Sequence, residues 1–207
     1  MQITLLSNPI LADIFTYGGV LFIFLSGISS QFSKRNALRG LQILGLGVLI
    51  TVITVLFMPR ESIYFGILHF LGTSILIYAL IRPLLRKINQ MVVFIGGLLL
   101  FFITYSINLQ QFHSDIFLSF VVGFPSLAFN SADYFPLLPY FFAFLSGTGF
   151  GWYIANKKLP QIIYQIKLPG ISFVGRYSLW VYLFHQPILL VVLNLIFFLT
   201  TNFTHKN

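Results

Sequence analysis

Apolar residues fall in six long runs, at about 9–30, 38–58, 64–85, 91–108, 136–156 and 173–200. Crossing a hydrocarbon layer of roughly 30 Å takes about 20 apolar residues in a helix, and each run is close to or beyond that length. Only a helix satisfies its own backbone hydrogen bonds in lipid without pairing to a neighbour. The pattern therefore predicts an all-α, polytopic membrane protein of about six transmembrane helices, built as a single domain over 1–207. The connectors are short and polar except 109–135. Within that one, Ile116–Phe124 is apolar but too short to span, so it is expected to re-enter the membrane or to lie on its outer interface. Residues 157–172 set Lys157, Lys158, Lys167, Pro160 and Pro169 between apolar pairs, which suits an interfacial stretch. No internal repeat is visible. Many carriers are built from inverted halves, so this counts against a carrier.

Composition agrees with the pattern. Hydrophobic residues make up 57% and charged residues 8%, against about 25% charged in a soluble domain, so the chain could not cover a water-facing surface. There is no Cys, which excludes disulfides, thiolate metal sites and a Cys nucleophile. No metal site is expected. No basic segment followed by a small-residue cleavage site opens the chain, so no removable signal peptide is read there.

Charge adds orientation. The formal net charge is +8, which in a soluble protein would suggest nucleic acid; here the cations sit between apolar runs and act as topology signals. Lys34, Arg35, Arg39, Arg82, Arg86, Lys87, Lys157, Lys158, Lys167 and Arg176 fall on one side, against Arg60 and Lys206 on the other. Cations stay in the cytoplasm, so both termini are expected outside and the protein in the cell membrane. An outward start with an even number of helices and no preceding cation is unusual. Either a further helix precedes the one near Pro9, or the protein is a short one with its N-terminus outside.

An ionisable residue near mid-membrane costs about 2.5–3.5 kcal/mol on insertion scales, so each requires a reason. Asp13 and His69 fall about a turn into their segments from the outer side, and Asp133 and Tyr134 lie at the outer mouth of the fifth. His185 lies about twelve residues into the sixth. Two carboxylates and two imidazoles thus gather in the outer half. Ser178, Tyr182 and His185 share one helix face. Pro187 cannot donate to Leu183 and kinks the helix beside His185, so a free carbonyl, an imidazole and Gln186 form a polar pocket for a small group or water. Gly72 and Thr73 follow His69 at three and four residues and let its helix approach a neighbour closely. Both histidines can equally serve packing alone, and the arginines can equally be topology charges. The runs Ser26-Gly27 and Ser146-Gly147-Thr148-Gly149 are expected to be helix contacts.

Four motifs occur in order: Phe22-Ile23-Phe24-Leu25-Ser26-Gly27, then Phe65-Gly66-Ile67-Leu68-His69-Phe70-Leu71-Gly72, then Asp133-Tyr134-Phe135-Pro136-Leu137-Leu138-Pro139, and Gly175-Arg176-Tyr177-Ser178 with His185-Gln186-Pro187. Together they resemble the bacterial branch of the heparan-alpha-glucosaminide N-acetyltransferase catalytic-domain family, over about 10–195. The resemblance implies a multi-pass acyltransferase that takes acetyl-CoA from the cytoplasm and passes the acetyl group to an amino sugar or other saccharide outside. Acyl transfer needs a general base titrating near the working pH, a role suited to His, and an Asp can hold its tautomer. On this reading His185 is the first candidate for a catalytic or acceptor-orienting role and His69 the second, with Asp133 and Asp13 as orienting carboxylates. Arg176, Arg39 and Arg35 are the candidates for the CoA phosphates.

The family also implies a preceding helix with an Arg-Gly element and usually a His, whereas no His precedes His69 here. The chain is thus expected either to begin within the family pattern or to lack the usual catalytic residue. The expected partners are membrane lipid and a saccharide acceptor, with no nucleic acid; a homo-oligomer is left open. A small carrier or permease, or a non-catalytic membrane subunit, is the alternative function.

Overall fold

The computed structural model describes residues 9–107 and 109–165, with side chains from Gly18 onward except at 110, 163 and 165. Each apolar run that falls within them is helical: α1 Pro9–Phe32, α2 Asn36–Phe57, α3 Ile67–Leu85, α4 Gln90–Ile107 and α6 Leu137–Ala155, with two short helices, α5 Ser119–Val122 and α7 Gln161–Gln165. The run at 173–200 lies outside the described residues. By length and apolar composition α2, α3 and α4 can each cross a membrane. The chain divides into two compact units, 1–159 and 160–207. In the second, the described helix is α7, within the stretch expected at the interface.

In the first unit α6 packs along α1 and α4, while α2 packs along α3, with thinner contacts from α3 to α1 and α6. Lipid tails give no hydrophobic drive to pack helices together, so close backbone approach through small residues takes over. The predicted small-residue runs supply it. A Cβ on Gly27 would collide with the Phe144 carbonyl, and one on Gly147 with the Phe24 carbonyl, so α1 and α6 touch backbone to backbone. The buried Ser146 hydroxyl donates to Phe94 O of α4 at 2.9 Å, and Gln31 Nε2 of α1 donates to Thr148 O at 2.9 Å. On the other pair, a Cβ at Gly72 would lie 2.6 Å from Leu44 N.

The third predicted run starts later as a helix than its hydropathy suggests. Residues before Ile67 are extended and run parallel to 131–135, with a single bridge between Phe65 and Tyr134. Ala132 N donates to Ser62 O and Phe135 N to Phe65 O, both at 3.0 Å. Two of the four family-like motifs are thus zipped together at one end of the bundle. The apolar stretch expected to re-enter or lie at the interface is a loop with the single turn α5. Its Ile116 and Phe117 are exposed.

Candidate functional site

The ends of the bundle differ in chemistry. At one, where α1 stops, α2 starts, α3 gives way to α4 and α6 stops, lie Lys34, Arg35, Arg39, Arg82, Arg86, Lys87, Lys157 and Lys158. At the other lie Glu61, His69, His113, Asp115 and Asp133, with Arg60 as the Lys or Arg among the described residues there.

At the acidic end, Ile67 N donates to Asp133 Oδ2 at 3.0 Å. Ile67 opens α3, where backbone N–H groups have no helical partner and the helix dipole favours an anion. Asp133 therefore caps α3 from a distant segment. Gly66 makes this possible, since a Cβ there would run into the carboxylate. Ser131 braces the same turn, donating to Asp133 O at 2.7 Å and accepting from Tyr64 N at 3.1 Å. Replacing Asp133 by Ala should cost about 1–2 kcal/mol, the scale of a lost cap. Thermal unfolding in detergent measures this, and a Ser at the same position should restore part of it.

The cap sets the register of His69, two residues further on. His69 is buried at 6% exposure, and its Nε2 lies 3.1 Å from Thr51 Oγ1 of α2. The Thr51 hydroxyl has one proton, and its 2.7 Å bond to Ile63 O uses it. Nε2 must then carry a hydrogen and donate to Thr51. Gly47 makes room for the ring, because a Cβ there would lie 3.1 Å from Nδ1. Phe65 packs on the ring at 5.8 Å between centroids. The partner that orients His69 is thus Thr51. Asp133 acts on His69 through the start of its helix. Tyr134 donates its hydroxyl to Phe120 O at 2.6 Å, and burial pushes the phenol up to about 12, so it keeps its proton and this bond.

At the cationic end, Arg39 Nη1 donates to Ser29 Oγ at 3.0 Å, and Arg35 is the exposed residue just before α2. Arg82, counted from sequence only as a topology charge, reaches inward. It donates to Ser33 O at 3.3 Å and Gln31 O at 3.4 Å, and its guanidinium lies 5.9 Å from the Tyr78 ring centre. Its Nε is buried with no partner among the described residues. Asn36 is also buried; it donates to Ser30 O at 2.8 Å and leaves Oδ1 unpartnered among the described residues. Of the other expected site residues, Asp13 sits on the second turn of α1, with its side chain outside the described set. His185 and Arg176 lie outside the described residues altogether.

Sequence reasoning missed Thr51 and Arg82. A Thr within an apolar helix carries no hydropathy signal, and an Arg beside Arg86 and Lys87 reads as one more topology charge. An Arg one turn from a Tyr on the same helix was the available hint for Arg82.

No curated protein and no solved structure matches the chain significantly. Residues 2–187 match the family described as heparan-alpha-glucosaminide N-acetyltransferase, catalytic. That match spans all four motifs and both ends of the bundle, and the chain belongs to the heparan-alpha-glucosaminide N-acetyltransferase catalytic-domain family, a family of membrane acetyltransferases.

Proposed function

We propose that the protein transfers an acetyl group from acetyl-CoA, held at the cation-rich cytoplasmic end, to an amino sugar or similar saccharide at the opposite, outer end. The observation that carries this reading is the segregation of chemistry along the bundle: eight Lys and Arg at one end, and the buried imidazole with the carboxylates at the other.

The cation-rich end suits a phosphate-bearing nucleotide. Arg82 offers a buried Nε–H without a partner among the described residues, and Arg39 gives one Nη to Ser29, its only side-chain partner among the described residues. Guanidinium groups bind phosphate oxygens through short, charge-assisted bonds. Arg35, Arg39 and Arg82, with Arg176 from the sequence, would hold the CoA phosphates. When bound, acetyl-CoA supplies an activated acetyl thioester.

In this reading His185 takes up the proton of the acceptor amine or hydroxyl, a task for a group titrating near neutral pH. Asp13 would serve as an orienting carboxylate for the acceptor. His69, buried and bound to Thr51, is a positioning residue that holds the outer ends of α2 and α3 together.

The test is equilibrium binding of acetyl-CoA to the purified chain in detergent. Arg39→Gln should raise the dissociation constant about tenfold, the worth of one charge-assisted bond, while Arg86→Gln, an exposed cation at the same end, should change it little. If acetyl-CoA shows no saturable binding, the transferase reading fails.

A further inference from the structure

The connector between α4 and α6 carries an apolar tip at the acidic end of the bundle. Ile116 is 76% exposed and Phe117 88%, directly after the exposed His113 and Asp115. The tip is a built turn. Ser119 Oγ donates to Ser114 O at 3.0 Å, Ile116 N to Ser114 Oγ at 3.3 Å, and Ser119 N to Ile116 O at 3.1 Å. Both backbone groups of Ile116 are therefore satisfied within the turn. Leu118 follows in the left-handed region at φ 63°, which a residue other than glycine seldom adopts unless its surroundings impose it. The base of this finger is fixed as well, by the Tyr134 hydroxyl on Phe120 O and by Phe120 stacked on Phe129 at 4.9 Å.

The contacts at the base set its height. The Phe120 ring meets Phe65, two residues before α3, at 6.4 Å. A Cβ on Gly123 would lie 2.9 Å from Leu138 O, near the start of α6. The finger thus springs from the level at which α3 and α6 begin. Leu99, Phe102, Ile103 and Ile107 give α4 an exposed apolar side, and the exposed Phe112 continues it into the connector. Apolar side chains beside polar ones, on a turn that satisfies its own backbone, meet the needs of a segment lying in a membrane interface.

We propose that the finger over 114–119 is a membrane anchor, which inserts Ile116 and Phe117 at the boundary of headgroups and acyl chains in the leaflet at the acidic end. His113 and Asp115 stay among the headgroups and water. Through Phe120 and Tyr134 the anchor fixes the height of the 131–135 segment above the bilayer, and with it the Asp133 cap on α3. The proposal does not depend on which reaction the protein performs.

The chain contains no Cys, so single cysteines report position directly. Spin labels are placed at Phe117→Cys, at Asp115→Cys and at Leu99→Cys, the last on the exposed side of α4 near its middle. Each full chain is reconstituted in phosphatidylcholine vesicles. Collisions with oxygen, which concentrates in hydrocarbon, and with a water-soluble nickel chelate give the depth of each label. The oxygen-to-nickel ratio at Phe117 should exceed that at Asp115 several-fold and stay below that at Leu99. Adding Phe117→Asp to an Ile116→Cys chain should bring its label to the Asp115 value. A Phe117 ratio equal to that of Asp115 would place the finger in water and overturn the proposal. A ratio as high as that of Leu99 would mean a re-entrant loop and overturn it equally. So would an Ile116 label that stays shielded in the Phe117→Asp chain. Spin–spin broadening at Phe117 that vanishes on dilution with unlabelled chain would put a second copy where lipid is proposed, and would also overturn it.

Discussion

Turnover should fall about a hundred- to ten-thousandfold when His185 is replaced by Ala, the effect of removing an acid–base group. Acetyl-CoA binding should stay near the wild-type value, because the groups proposed for its phosphates are different residues from the one proposed for the proton transfer. The comparison with His69→Ala gives the experiment its resolution. His69 is buried at 6% exposure and donates from Nε2 to Thr51. Its loss should therefore act through placement of α2 against α3, lowering stability and acceptor affinity more than the chemical step. Thr51→Val should reproduce the His69→Ala stability loss in part, since it strands both the imidazole N–H and Ile63 O. Interhelical hydrogen bonds in membranes contribute about 0.6–1.7 kcal/mol each. Full turnover in the His185 variant would remove that residue from the mechanism. A catalytic loss in His69→Ala as deep as that of His185→Ala, with stability unchanged, would promote His69 from positioning to chemistry.

The second large effect is on folding. Gly147→Leu should abolish recovery of folded protein from detergent, whereas Gly45→Leu and Gly96→Leu should be tolerated. All three are glycines in apolar helices, and a scale of hydrophobicity or helix propensity ranks them alike. Their surroundings differ. The added Cβ at Gly147 meets the Phe24 carbonyl and Gly27 Cα, backbone that cannot step aside unless α1 and α6 separate. At Gly45 and Gly96 nothing lies within 4 Å. Overpacking costs about 1–3 kcal/mol where side chains can yield; here the obstacle is main chain, so the cost should reach at least the top of that range. Thermal unfolding and size-exclusion profiles of the three variants decide it. A normally folded Gly147→Leu protein would mean that α1 and α6 do not meet at these glycines.

Read from the residues alone, the helices were legible within a few positions. The runs at 38–58 and 91–108 became Asn36–Phe57 and Gln90–Ile107, because a continuous apolar run of about 20 residues spans lipid with its backbone satisfied within itself only as a helix. The small-residue runs were also legible as contact surfaces, since glycines and serines at helical spacing have little other use in such a helix. Their partners were not legible. Gly27 and Gly72 carry the same local signal, yet one meets α6, more than a hundred residues away, and the other meets the adjacent α2. The start of α3 also depended on the tertiary structure: hydropathy continues the run back to residue 64, but Asp133 caps the helix at Ile67 and the 131–135 segment holds Phe65 extended. Sequence marked His69 and Asp133 as residues needing a reason, because burying an ionisable group is costly. Which reason applied was decided by groups far along the chain, Thr51 for the imidazole and the Ile67 N–H for the carboxylate, and only packing brings those within hydrogen-bond reach.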